Sequence, residues 1–168
     1  QTGGKLTIVS GSNDKTIKIW QEAASGPAFN VKTLEVGEAI LSIKAFIHQG
    51  ILTLVSKDMH HQIKIFRNED GDETFRVKIL DNGLERAHTL EAFQNQPRQL
   101  TIVSAYLHQA HFGTKIWREG ENGDFKVKTW EEKPDHVPVL LASQDPSTGL
   151  VTVVSHEGRS PCNNGDNE

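Results

Sequence analysis

One string constrains this chain more than any other. Leu6-Thr-Ile-Val-Ser10 returns as Leu52-Thr-Leu-Val-Ser56, Leu100-Thr-Ile-Val-Ser104 and Val151-Thr-Val-Val-Ser155. The spacings are 46, 48 and 51 residues, a period at which each repeat is one supersecondary unit that buries its faces against its neighbours. A second string follows three of them: Thr16-Ile-Lys-Ile-Trp20, Gln62-Ile-Lys-Ile-Phe66 and Thr114-Lys-Ile-Trp117. A third comes next, as Phe29-Asn-Val-Lys-Thr-Leu34, Phe75-Arg-Val-Lys-Ile-Leu80 and Phe125-Lys-Val-Lys-Thr-Trp130. The strings alternate apolar and polar residues, which is the period of a strand with one wetter face. A fourth apolar stretch precedes each new repeat, at 40–46, 87–93 and 137–142. Pro138 sits near the start of the last, where a missing N–H is tolerated. Gly-rich or acidic turns such as Glu119-Gly-Glu-Asn-Gly-Asp124 separate the strings, and no segment sustains a helical period. The expectation is an all-β chain with about four strands per repeat.

The stretch Val9-Ser-Gly-Ser-Asn-Asp-Lys-Thr-Ile-Lys-Ile-Trp20 resembles the b-strand, turn and c-strand of a WD40 repeat, with Asp14 and Trp20 at the family's turn Asp and closing Trp. In the second repeat Asp58 approximates the turn Asp and Phe66 replaces the Trp. In the third, Trp117 matches and the turn over 105–113 is expanded. Gln21, Arg67 and Arg118 stand where the family places an Asp, and no Gly-His dipeptide occurs. The family's Asp–His–Ser–Trp hydrogen-bond network is therefore not expected. The resemblance implies a β-propeller of four-stranded blades, each running a, b, c, d from the centre outward.

In that frame 1–156 holds a partial blade at 5–34, blades at 39–80 and 87–130, and a partial blade at 137–156, followed by a polar disordered tail at 157–168. That is about three blades plus partial strands, thirteen strands in all, and four full blades are about the smallest closed propeller. Open strand edges are association hazards. The expectation is thus an incomplete propeller: a subunit or fragment completed by protein partners or additional copies. Gln1 in place of Met reads separately as a processed or truncated chain.

Composition removes several function classes. A formal net charge of −4 argues against a general nucleic-acid or acidic-membrane binder, which needs surplus Lys and Arg. No apolar run is long enough for a spanning helix. The single Cys162 excludes an internal disulfide and reads as a free thiol in a polar tail. Asn-x-Ser/Thr acceptors are absent, which favours a cytoplasmic or nuclear setting over a secreted one. No phosphate-cradling Gly loop, Gly-x-Ser-x-Gly elbow or Cys–His arrangement occurs. Paired carboxylates such as Glu131-Glu132 fall in turns and read as solvated.

Seven of the eight histidines map to one face of the propeller: His60 and His61 in the second b–c turn, His108 and His111 in the third, with His88, His136 and His156 nearby. His48 maps to the opposite face. No ligand set of known metal spacing completes them, so no metal and no cofactor is expected, and the turn histidines read as part of a partner surface. Tyr106, an aromatic in the long third turn of a rigid scaffold, suits a binding hot spot. The lysines at alternate strand positions, Lys18, Lys32, Lys64, Lys78, Lys126 and Lys128, read as a solvated face. The expected function is a non-enzymatic protein–protein interaction scaffold, contacting partners through Asn13, Asp14, His60, His61, Tyr106, His108 and His111. The alternative is a propeller lectin or small-ligand binder, which calls for the same polar and aromatic residues at one position in every repeat. The turns here diverge while the strand residues recur.

Overall fold

Alternation dictates where the chain pairs. The computed structural model describes residues 6–24, 26–48, 50–68, 74–81, 86–94, 99–108, 111–132, 137–145, 148 and 150–158. Among them no helix forms and every sheet is antiparallel. The first repeat gives β1 (Thr7–Gly11), β2 (Thr16–Glu22) and β3 (Phe29–Glu35), ordered β1-β2-β3. The second gives β4 (Ile40–His48), β5 (Ile51–Asp58), β6 (Ile63–Arg67) and β7 (Arg76–Asp81), again in chain order. The third gives β8 (Arg86–Ala87), β9 (Glu91–Gln94), β10 (Leu100–His108), β11 (His111–Glu119) and β12 (Phe125–Glu132); β13 (Val137–Gln144) and β14 (Val151–Gly158) form a two-stranded sheet. None of the sheets closes on itself.

The repeat strings pair in the same register in all three sheets. Ile8 lies opposite Trp20 and Trp20 opposite Val31; Leu54 lies opposite Phe66 and Phe66 opposite Val77; Ile102 lies opposite Trp117 and Trp117 opposite Val127. Three boundaries differ from expectation. The stretch read as one strand over 87–93 is split into β8 and β9, both paired to β10. In the gap the His88 N–H still donates to Ala105 O at 2.8 Å, and the Thr89 hydroxyl accepts the Ala105 N–H at 3.0 Å, so a side chain takes the place of a ladder carbonyl. The third b–c turn is not an expanded loop: β10 and β11 stay paired out to His108 and His111. Finally, β14 runs to Gly158, two residues into the expected tail; the rest of that tail, Cys162 included, lies outside the described residues.

The chain divides into two compact units, Gln1–Gly83 and Leu84–Glu168. In the first, the sheets of the first and second repeats stack: Ile17, Ile19, Ile40, Leu52, Leu54 and Phe66 form the buried cluster, with Val9, Leu34, Ile43 and Phe75 packed around it. Each such side chain gains about 1.5–3 kcal/mol on leaving water. Contact is close enough at Gly11 that a Cβ there would press on Ile40 Cγ2 and lie 2.8 Å from Ile40 Cβ. In the second unit Val103, Ala105 and Ile116 form the core, and Ala142 of β13 and Val153 of β14 pack on it with Phe93.

Candidate functional site

The turns of the first unit are fastened together by main-chain hydrogen bonds. The Val36 N–H donates to Lys15 O at 3.0 Å, the Ile40 N–H to Ser12 O at 3.0 Å, and the Met59 N–H to Ala39 O at 2.8 Å. These bonds draw the β1–β2 turn, the β3–β4 connection and the β5–β6 turn into one surface. The two hairpin turns share a form. Ser12 N–H donates to Thr16 O and Asp58 N–H to Gln62 O, both at 3.1 Å. Lys15 (φ 68°) and His61 (φ 62°) take the same left-handed place in each, a conformation that costs a non-glycine residue and must be held by its surroundings.

What holds it is a short polar side chain at the turn's start. In the first turn Ser12 Oγ accepts the Asp14 N–H at 3.2 Å, and Asp14 Oδ1 accepts both the Thr16 N–H at 3.0 Å and the Thr16 hydroxyl at 2.7 Å. The Thr16 hydroxyl bond holds the Asp14 carboxyl below its ordinary range. In the second turn the fully buried Asp58 accepts the N–H groups of His60 and Gln62 through Oδ1, both at 3.0 Å, and its Oδ2 lies 2.8 Å from Lys64 Nζ. Asp58 therefore stands in the place of Ser12, and His60 in the place of Asp14. Asp58 thus does not hold the turn-Asp position that the resemblance implies for it, but the place two residues before. Lys64 is no part of a solvated lysine face either, since its side chain is only 12% exposed. Lys57, beside Asp58, is also buried, and burial pushes its ammonium below the usual lysine range.

Around this frame the exposed side chains are chemically mixed. Glu38 Oε2 lies 3.3 Å from His60 Nε2 and 4.0 Å from Lys15 Nζ. Exposed pairs of this kind add little stability; their interest is the surface they make. Met59 is 54% exposed and Asn13 is exposed in the adjoining turn. Of the expected contact residues, then, Asn13, Asp14, His60 and His61 belong to one stitched surface, with Asp14 committed to its own turn. Lys15, Glu38 and Met59 join them unforeseen. The signal for Met59 was available, because the 46-residue offset places it where Asn13 stands.

Tyr106, His108 and His111 belong to the second unit and share the β10–β11 hairpin. Tyr106 is not a loop aromatic. It is 5% exposed, opposite Gly113, and a Cβ on Gly113 would lie 2.5 Å from both Tyr106 Oη and Trp130 O. Lys115 Nζ sits 5.2 Å from the Tyr106 ring and 5.9 Å from that of Trp117, so the ring is packed beside a cation. His108 and His111 are the last backbone pair of the ladder. His88 is exposed, its ring 6.4 Å from that of Phe112. Among the described residues no group of three His, Cys, Asp or Glu could hold a metal; His136 lies outside them. Nor, among them, is any helix long and apolar enough to cross a membrane.

No family model matches this chain, and no curated protein matches it.

Proposed function

We propose that this protein is a non-enzymatic protein-interaction scaffold built on WD40-like blades, its sheets serving as the blades of a propeller completed through other protein chains. The stacking of sheets within each unit and their chain-order pairing, b to a, c and c to d, suit that architecture. The observation that carries the functional reading is the stitched turn surface. Main-chain bonds between three turns hold Lys15, Glu38, Met59 and His60 in place before a partner arrives, which lowers the ordering cost of binding. An exposed methionine amid charged neighbours suits a protein surface, where Met is enriched at interfaces and adapts to its contact. Partners engage this surface without a cofactor and without nucleic acid.

The test is a photo-crosslinker at position 13 in the full chain, exposed to an extract of the native source. Wild type should capture a discrete protein, and Met59→Asp with His60→Asp should abolish its capture. Glycan-array binding with no crosslinked protein, or capture indifferent to the two substitutions, would overturn the reading.

A further inference from the structure

Within each unit the same face of the repeat string is covered in one sheet and bare in the other. Within the first unit Leu52 and Leu54 are 6% and 0% exposed, yet Leu6 and Ile8 of the same string are 52% and 47% exposed. Trp20, opposite Ile8, is half-buried, whereas its counterparts Phe66 and Trp117 are buried. The other face of the string shows the reverse at the last sheet. Within the second unit Thr101 and Val103 are buried, whereas Thr152 is exposed and Val154 is 53% exposed.

These two bare faces are the two halves of a contact the chain already makes. In the first unit, what packs on Leu52, Leu54 and Phe66 is the face of the preceding sheet that carries Val9, Ile17 and Ile19. Val154 stands in the repeat where Val9 does, and Leu6 and Ile8 stand where Leu52 and Leu54 do. Each end of the chain thus carries the complement of the other, and a face rich in residues of core type is a docking surface when nothing covers it. We infer that the chain associates head to tail with a second copy of itself, the Thr152 and Val154 face of one copy seated on the Leu6, Ile8 and Trp20 face of the next. The inference rests on the stacked-sheet part of the reading above and not on the turn surface. Because the two faces differ, the contact is heterologous, and it continues into a ring or a filament.

Sedimentation velocity and light scattering across a wide concentration range test this on the full chain. Wild type should grow to multiples of the 18.7 kDa chain. Ile8→Glu and Val154→Glu should each weaken association at least ~10-fold, since an unpaired charge would be buried. Mixed together, the two variants should form a dimer that neither forms alone, because one intact head and one intact tail remain. Both positions are exposed, so circular dichroism should show native strand content; Leu6→Arg and Thr152→Arg form a second pair if either Glu variant fails to fold. A wild type that stays monomeric overturns the inference, whether its ends close on each other or await a different protein. Sensitivity to Ile8→Glu but not to Val154→Glu overturns it in favour of head-to-head pairing. Met59→Asp should leave self-association intact, so loss of partner capture and loss of self-association are read separately.

Discussion

Removing the Asp58 carboxylate tests whether the second turn is held by a buried charge. Asp58 is 0% exposed, takes two main-chain N–H groups at 3.0 Å and lies 2.8 Å from the Lys64 ammonium. Asp58→Ala deletes two hydrogen bonds to a charged acceptor, each worth about 1.5–3 kcal/mol. It also leaves a largely buried ammonium without this partner, and breaking such pairs costs about 3–5 kcal/mol. The two contributions overlap, because relaxed N–H groups and Lys64 can reach water, so a loss of about 3–5 kcal/mol is expected for the whole change. Against a domain stability of about 5–15 kcal/mol, that is enough to move the urea midpoint a long way at unchanged slope. Asp58→Asn keeps an oxygen for the two N–H groups and loses only the charge, so its loss should be smaller. Adding Lys64→Met to Asp58→Asn should return part of that loss, since no unpaired cation remains. Urea unfolding followed by Trp20 fluorescence in a Trp117→Phe/Trp130→Phe background reports the first unit alone. A loss below about 1 kcal/mol for Asp58→Ala, in the range of an exposed pair, would refute the reasoning.

Two further outcomes follow from the geometry. Gly113→Ala should cost about 1–3 kcal/mol, as overpacking does, and Tyr106→Phe should not rescue it, because the Trp130 carbonyl also blocks the Cβ; urea unfolding of the second unit followed by Trp117 fluorescence reads both. Asp14 is held below its ordinary pKa of 3.8 in the folded chain, so its contribution is present above that value and fades as pH falls through the folded pKa. The stability difference between wild type and Asp14→Asn should accordingly be full near neutral pH and shrink as the pH drops below 3.8, measured by urea unfolding at a series of pH values.

The strand order was legible because it rests on a period-2 pattern written four times. Leu54, Phe66 and Ile102 lie buried where their strings place them, and only sheet packing is needed to put them there. The misses have a different physical origin. Thr89 interrupts a strand by offering its hydroxyl to the Ala105 N–H, and nothing in an alternating string distinguishes that hydroxyl from one facing solvent. Tyr106 reads as a loop residue because the segment 105–113, ending in Gly113, resembles an expanded turn; Gly113 is instead the vacancy that admits its ring. Glu38 and His60 are 22 residues apart, and their meeting depends on the bonds from Ile40 and Met59 to neighbouring turns. Side-chain groups brought together by turn stitching leave no local trace.

The pairing order within the sheets has a consequence for how the chain reaches its structure. Each strand pairs with the one before or after it in the chain, save the split β8–β9, both of which pair with β10. Every ladder therefore closes a short stretch of chain, and the entropy of loop closure rises only slowly with such lengths. Nucleation can begin in any repeat and spread by stacking, with fewer long-range pairings to await than in a sheet of crossed-over strands. Duplication of a repeat should therefore leave the existing ladders paired, because each added hairpin brings its own pairing instructions and needs from its neighbours only a face to lie against.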